Sequence, residues 1–453
     1  MLGYLAKLVE EIVRLKEQIN TNSTNSSLPP SKDPRKKKVK KKNSSGNKRG
    51  AQTGHKGHNR KLFESHKADE IIKCLPAAVC NCGGCVENLI LSARKQVLEL
   101  PQPKFLLHEY QIYTGTCNQC DTKVAGNLPE GIGNRWFGTR THGLMSLLRS
   151  KYRLSVRQVK QLLHDLYDMP ISIGSVSHAE ARVSAALIPI HAEVLSNIQN
   201  SDLPINIDET GYKQNNRSGW AWILANKESS YFHLSPSRGK LVAKHLLGAV
   251  IGVKNTVIIS DRYPVYNFIP ERQHQICWAH LKRDFQKISE RTGMPGKIGK
   301  KLLKYYRLLF KFWKIDGDKH WWFLNKMRKK RKRWINKLLN HLRNGAKCGH
   351  LTTERTCANI LAQSKSLWNF FDCAGVEPTN NLAERQLRPL VISKKLSFGA
   401  DSERGARFIE RIFTVVMTCA QQRKNVIEFI NTTIANYFAG KPCLQLINAS
   451  LLN

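Results

Sequence analysis

Residues 203–208, LPINID, and 256–261, TVIISD, decide the fold. Each is a short apolar run that closes on an aspartate. Runs of this length, rich in Ile and Val, read as β-strands. One strand is therefore expected over 203–207, ending at Asp208, and another over 256–259, ending at Asp261. Gly211 reads as the start of a turn. Residues 220–225 and 230–234 read as two further strands, 240–250 as a helix, 263–268 as a helix start and 273–277 as a last strand. Beyond these the chain is helical. Three strands, a helix, a strand, a helix and a strand make a mixed α/β sheet rather than a sandwich.

Acidic residues are scarce, 34 against 73 Lys and Arg, so their placement is informative. Carboxylates at strand ends can converge outside a sheet edge, where ligands bind; taken singly, each Asp also suits a turn. A third carboxylate, Glu384, lies in PTNNLAERQLRPLVISKK, residues 378–395. Pro378 precedes a helix start with Asn380 or Asn381 near its N-cap. Asn380, Glu384 and Arg388 are four apart and share one face. Arg385 and Arg388 would lie beside any phosphate held there, and Pro389 predicts that the helix ends at about Arg388. Asp208, Asp261 and Glu384 together are suitable ligands for magnesium. Two such ions, about 3.5–4 Å apart, can clamp the attacking and leaving oxygens of a phosphodiester.

The chain of 453 residues carries a formal charge of +39. A protein this basic repels itself unless a polyanion screens it, and nucleic acid is the natural partner. Its 41% hydrophobic content excludes a wholly disordered chain. No apolar run approaches the ~18–20 residues of a membrane span, and residues 1–20 lack a secretory apolar core. These features argue against a secreted or membrane protein. Twelve cysteines are too dilute for a disulfide scaffold. Cys117 and Cys120 form a C-x2-C pair, and with two of Cys80, Cys82 and Cys85 they can close a tetrahedral zinc site that staples a small module over 71–124.

Four further segments complete the organisation. Leu5, Leu8, Ile12, Leu15 and Ile19 recur at coiled-coil spacing over residues 1–20, which predicts a homo-oligomer through that seam; the alternative is a helix packed on its own domain. Residues 21–70 form a basic disordered linker. Ten of its residues 31–50 are Lys or Arg, among them Lys36, Lys37, Lys38, Lys40, Lys41 and Lys42, suited to following a phosphate backbone without reading bases. Residues 136–200 are helical, with helices over 143–150, 156–167 and 172–192; they read as a helix-turn-helix or as a plain spacer. Residues 297–359 form a basic helical block. Its aromatics, such as Tyr305, Phe310 and Trp313, are expected in a core. The nine Lys and Arg of residues 326–343, including Lys329, Lys330 and Arg331, are candidates for DNA backbone contact.

Taken together, NSSLPPSKD with GAQTGHKGH, the paired cysteines, IDETGYK with IISDRYPVYNF and ICWAHLKRDFQKI, and TNNLAERQLRPLVISKKLSFGADSERGARF are similar to the insertion-sequence 66 family of transposases. That resemblance implies an RNase H-like catalytic core over 201–440, with a helical insertion at 297–359 and Asp208, Asp261 and Glu384 as a DDE triad. It implies metal-dependent (magnesium or manganese) DNA cleavage and strand transfer, with double-stranded DNA, terminal inverted repeats and target DNA as partners. It also implies a cytoplasmic, nucleoid-associated bacterial protein. Cys277, Trp278, Ala279 and His280 correspond to the family's block after the second Asp. Where the family carries Cys-Pro-x-Cys-Gly-Gly, this chain has Cys80-Asn81-Cys82-Gly83-Gly84, one residue short. The alternatives are a nuclease of the same fold that does not transfer strands, and a DNA-binding protein with a decayed catalytic core.

Overall fold

The computed structural model describes residues 2–26, 33, 61–248, 250–253, 255–315 and 320–447. The expected basic contacts Lys36, Lys37, Lys38, Lys40, Lys41 and Lys42 lie outside the described residues. The chain divides into two units, Arg35–Lys104 and the remainder, Met1–Pro34 with Phe105–Asn453.

In the smaller unit the first cysteine cluster sits on a tight loop. The Cys80 N–H donates to the Gly84 carbonyl (2.8 Å), and the Gly83 N–H donates back to the Cys80 carbonyl (2.8 Å). Gly83 has φ +87°, a left-handed conformation that glycine adopts without a Cβ clash. In the larger unit, β1 (Thr114–Thr116) and β2 (Lys123–Ala125) pair antiparallel around the second knuckle. There the Cys117 N–H donates to the Thr122 carbonyl (2.9 Å) and the Asp121 N–H to the Cys117 carbonyl (3.0 Å).

The larger unit opens with α1 (Leu2–Ile19). Leu8, Ile12, Leu15 and Ile19 of its predicted seam are exposed. Its C-terminal end is fastened within the same unit, where Arg291 donates to Glu17 (2.7 Å). A three-helix cluster follows: α2 (Thr139–Arg149), α3 (Val156–Tyr167) and α4 (Ile173–Ala186). Ser155 and Gln158 form a capping box at the start of α3, and Ser172 caps α4 through the Ser175 N–H. Met145, Val159, Leu163 and Val176 form a small core of their own between these helices. The single helix expected over 172–192 is instead broken at Leu187, where α5 (Ile188–Asn200) begins with Pro189 in its first turn. Proline lacks the N–H that a continuing helix needs but suits a helix start.

The sheet comprises β3 (Ile205–Gln214), β4 (Arg217–Ala225), β5 (Ser230–Ser235), β6 (Ile258–Ser260) and β7 (His274–Ile276) in the order β5-β4-β3-β6-β7. The first three strands are antiparallel, and β3, β6 and β7 run parallel. The first strand is longer than the sequence suggested. Asp208 does not end it, and Gly211 is a strand residue opposite Trp220. The turn falls at Asn215 and Asn216, both with positive φ (48° and 58°), the geometry of a two-residue hairpin that favours Asn. Pairing along β4 kept the polar ETGYKQ stretch extended.

Between the strands lie α6 (Lys240–Leu247) and the single turn α7 (Val250–Val253). Residues 264–266 form one 3-10 turn rather than a helix. After β7 come α8 (Trp278–Ser289), α9 (Gly293–Ile315), α10 (His320–Gly345), α11 (Leu351–Ala362) and the short α12 (Asn369–Asp372). Leu281, Phe285, Leu302, Leu338 and Ile360 bury together with Ile259 and Ile276 of the sheet, so the basic block has a core shared with the sheet. Tyr305, Phe310 and Trp313 pack against that core, as expected.

The chain closes with α13 (Asn381–Ser397), α14 (Glu403–Gln421) and α15 (Val426–Phe438). Helix α13 does not stop at Arg388; it runs through Pro389 to Ser397. Its buried face, Ala383, Leu387 and Leu390, joins the main core and holds the helix across the proline. Helix α14 covers the edge strand β5. Thr418 and Thr414 accept the Ser230 and Phe232 N–H groups (3.1 and 3.0 Å), and Glu410 accepts that of Leu234. Residues four apart on one helix thus satisfy alternate donors of an edge strand, which would otherwise be open to pairing. Among the described residues no helix is long and apolar enough to cross a membrane.

Candidate active site

The register of β3 against β6 places the two aspartates side by side. Asn206 is opposite Ile259 in this parallel pair. Asp208 and Asp261 each lie two residues further on, so both follow the last paired residues on the same edge. Side chains two apart on a strand share a face. The Tyr263 N–H donates to Asp261 Oδ1 (2.9 Å), and the Glu209 N–H donates to Asp208 Oδ1 (3.0 Å).

Glu384 is in the first turn of α13, and Asn380 sets that turn against the sheet. Asn380 occupies the N-cap position, yet its side chain does not cap the helix. Its Nδ2 donates to the Ile207 carbonyl (2.8 Å), its Oδ1 accepts from Asn206 Nδ2 (2.9 Å), and its backbone N–H donates to Cys277 Sγ (3.1 Å). Trp278 adds a second tie, its N–H donating to the Pro378 carbonyl (2.9 Å). The N-termini of α8 and α13 are thereby fixed together beside β3 and β6.

The electrostatics agree with this convergence. Burial holds the Asp208 carboxyl well above the usual carboxylate range, and the negative charges of Glu209, Asp261 and, more weakly, Glu384 push the same way. A carboxylate that is costly to ionise beside other carboxylates suits a site completed by a cation. Glu384 Oε1 is buried without a hydrogen-bond partner, a further sign of a donor set that fits a divalent ion. Asp208, Asp261 and Glu384 would hold that ion or ions. The ligand oxygens of the three carboxylates are not all within 4.8 Å of one another.

Three groups at the site escaped the sequence reading. Glu209 is buried and paired with Arg238 (2.9 and 2.7 Å), and it accepts the Tyr266 hydroxyl proton. Burial is the main cause of its raised carboxyl pKa. Arg238 stacks on Trp220 and on Tyr263, 4.4 and 3.7 Å from the ring centroids. This cluster braces the loop after Asp261 through Tyr263 and Tyr266. Asn380 takes the N-cap position expected for it or Asn381, but its side chain clamps the helix to the sheet rather than capping it. Cys277 and His280, quoted only as part of a motif, lie with Glu384: their ligand atoms are all within 4.8 Å of one another, and no other trio of potential ligands among the described residues does this. Burial pushes the Cys277 thiol up to about 11 and, with Arg283, holds His280 toward its neutral form.

The expected phosphate contacts are placed unequally. Arg385 and Arg388 are exposed on α13, close in sequence to Glu384. Arg331 pairs with Asp372 through two hydrogen bonds (2.5 and 2.7 Å) and lies over Phe371, so it is engaged within the protein. Lys329 and Lys330 fall on α10, but their side chains are outside the described set. On the knuckles, Cys82 and its neighbours lower the Cys80 thiol by hydrogen bonding, and Thr122 does the same for Cys120. Both shifts favour the thiolate that binds metal.

Comparison with known proteins matches residues 137–408 to the transposase IS66 family, more than half of the 453-residue chain. Residues 2–61 match a family of unknown function, DUF6444. An uncharacterized protein of Sinorhizobium fredii, y4qI, is 21% identical over 427 residues, spanning 85% of this chain and 76% of the relative. Because the first of these matches covers more than half of its length, the chain belongs to the IS66 family of transposases.

Proposed function

We propose that this protein cleaves the ends of a DNA element and joins them to target DNA, using an RNase H-like core with Asp208, Asp261 and Glu384 as its triad. One observation carries the reading: the β3–β6 register sets the two aspartates side by side, and Asn380 fastens the Glu384 helix to the same strand. Bound magnesium or manganese supplies charge neutralisation at the phosphodiester and activation of the attacking oxygen.

The chain's own residues do the rest. Asp208 and Asp261 hold the ions from the sheet edge, and Glu384 completes the set from α13. Arg385 and Arg388 neutralise flanking phosphates from the exposed face of that helix. The Glu209–Arg238–Tyr266 cluster keeps the Asp261 loop in place, so that the carboxylates meet the DNA preorganised. Helices α2–α4 offer exposed Arg157 and Lys160 to the terminal inverted repeats, and the basic linker follows the backbone on either side. Chains associate through the α1 seam, which presents two element ends together. The cysteine knuckles bind structural zinc.

The test uses duplex DNA bearing the element's own ends, a supercoiled target and magnesium. Covalent joining of a 3'-end to the target supports the proposal. Nicking without joined product reduces the activity to that of a nuclease. Binding without any metal-dependent cleavage refutes a catalytic role.

A further inference from the structure

The trio Cys277, His280 and Glu384 offers sulfur, nitrogen and oxygen donors in one place, built on two helix starts. Cys277 is the N-cap of α8, His280 lies in the first turn of α8, and Glu384 lies in the first turn of α13. The donor atoms lie within 4.8 Å of one another. His280 Nδ1 and Glu384 Oε1 are buried without hydrogen-bond partners, and Cys277 is fully buried with Asn380 N–H directed at its sulfur. Magnesium prefers oxygen and does not explain a thiol and an imidazole at this position. Zinc takes this donor set, with three protein ligands and a fourth position open. Tetrahedral zinc with ligands at about 2.0–2.3 Å sets its donors roughly 3.4–3.6 Å apart, so donors already within 4.8 Å of one another need approach by no more than about 1.4 Å.

We infer that Cys277, His280 and Glu384 form a thiophilic metal site that takes zinc and draws Glu384 away from the catalytic ions. On binding, the Cys277 thiol releases its proton to solvent and its sulfur becomes a thiolate ligand; neither partner changes oxidation state. The site is distinct from the cysteine knuckles in including Glu384 of the triad. Zinc held there suppresses the magnesium-dependent reaction until the ion leaves, because a Glu384 oxygen drawn to within about 2.0–2.2 Å of zinc is pulled from the position in which it completes the catalytic set. This regulation rests on the role given to Glu384 above, whereas the metal site itself does not.

The experiment titrates the full chain with cobalt, a spectroscopic stand-in for zinc, after replacing all five knuckle cysteines (Cys80, Cys82, Cys85, Cys117 and Cys120) with Ser. One equivalent of cobalt should bind, with a sulfur-to-cobalt charge-transfer band and tetrahedral d–d bands. Cys277→Ser should remove the charge-transfer band, and His280→Gln should lower the cobalt affinity at least tenfold. Circular dichroism of each variant checks the fold. Should Cys277→Ser fail to fold, X-ray absorption on the zinc-loaded parent decides, with one sulfur and lighter N/O ligands expected. No bound cobalt in the folded parent, or a shell without sulfur, overturns the site. A Mg2+-dependent reaction by wild-type protein that is unaffected by added zinc, with the cobalt site present in the parent, overturns the regulation alone. The triad fails separately if Asp208 or Asp261 variants cleave DNA.

Discussion

Removal of the Asn380 side chain tests whether the active site is assembled by that one clamp. Asn380 is fully buried, and Asn380→Ala deletes two side-chain hydrogen bonds, to the Ile207 carbonyl and from Asn206. The backbone bond to Cys277 remains, so the loss is confined to the link between α13 and β3. Leaving a buried donor and a buried acceptor unmatched costs about 1–3 kcal/mol each, hence about 2–6 kcal/mol of stability. Urea unfolding, followed by fluorescence of the buried Trp222 and Trp278, reads that loss. Cleavage at equal DNA occupancy should fall about 100-fold, because small misplacement of a catalytic group carries a penalty of that size. Asn381→Ala, at an exposed neighbouring position, is the control and should stay within about 0.5 kcal/mol. Unchanged stability and cleavage in Asn380→Ala would refute the clamp.

Three other outcomes follow from the same geometry. Asp208 has a folded-state pKa above its unfolded value of 3.8, so its ionisation destabilises metal-free protein as pH rises above about 3.8; chelator-treated Asp208→Asn should therefore melt higher than wild type at pH 7, with the gap closing below pH 3.8, and an equal melt at pH 7 contradicts this. Arg385→Ala and Arg388→Ala should each reduce the log–log salt slope of duplex binding by about 0.9, while Arg331→Ala, already paired with Asp372, should leave it unchanged; salt-titrated fluorescence anisotropy measures both. Metal analysis of purified protein should find zinc that Cys117→Ser and Cys120→Ser release together, and retention of the full zinc content by both variants would show that this knuckle is not a ligand set.

Local pattern made the strands and both aspartates legible. An apolar run before an acid is visible within six residues, and the alternation that marks a strand needs no partner. What failed was local inference about ends. Gly211 and Pro389 are turn and stop signals in isolation, but β4 pairing overrides the first and the buried Leu387–Leu390 face overrides the second. The clamp was illegible for a different reason. Asn206 and Asn380 meet across 174 residues, and nothing in the spacing of either says which of several Asn residues will face the other. Glu209 lies just beyond the expected strand end, and its partners Arg238 and Tyr266 come from later segments. Cys277, His280 and Glu384 likewise come together only when two helix starts are brought side by side.

The most direct test of the account is metal-dependent cleavage of a labelled element end by wild type and by Asp208→Asn, Asp261→Asn and Glu384→Gln, compared at equal DNA occupancy. The three carboxylates serve one assembled metal centre, so each substitution should abolish cleavage with magnesium while DNA binding persists, and pairs of substitutions should cost no more than one. Near-wild-type cleavage by any one of the three would show that its carboxylate is not a ligand and would contradict the assignment.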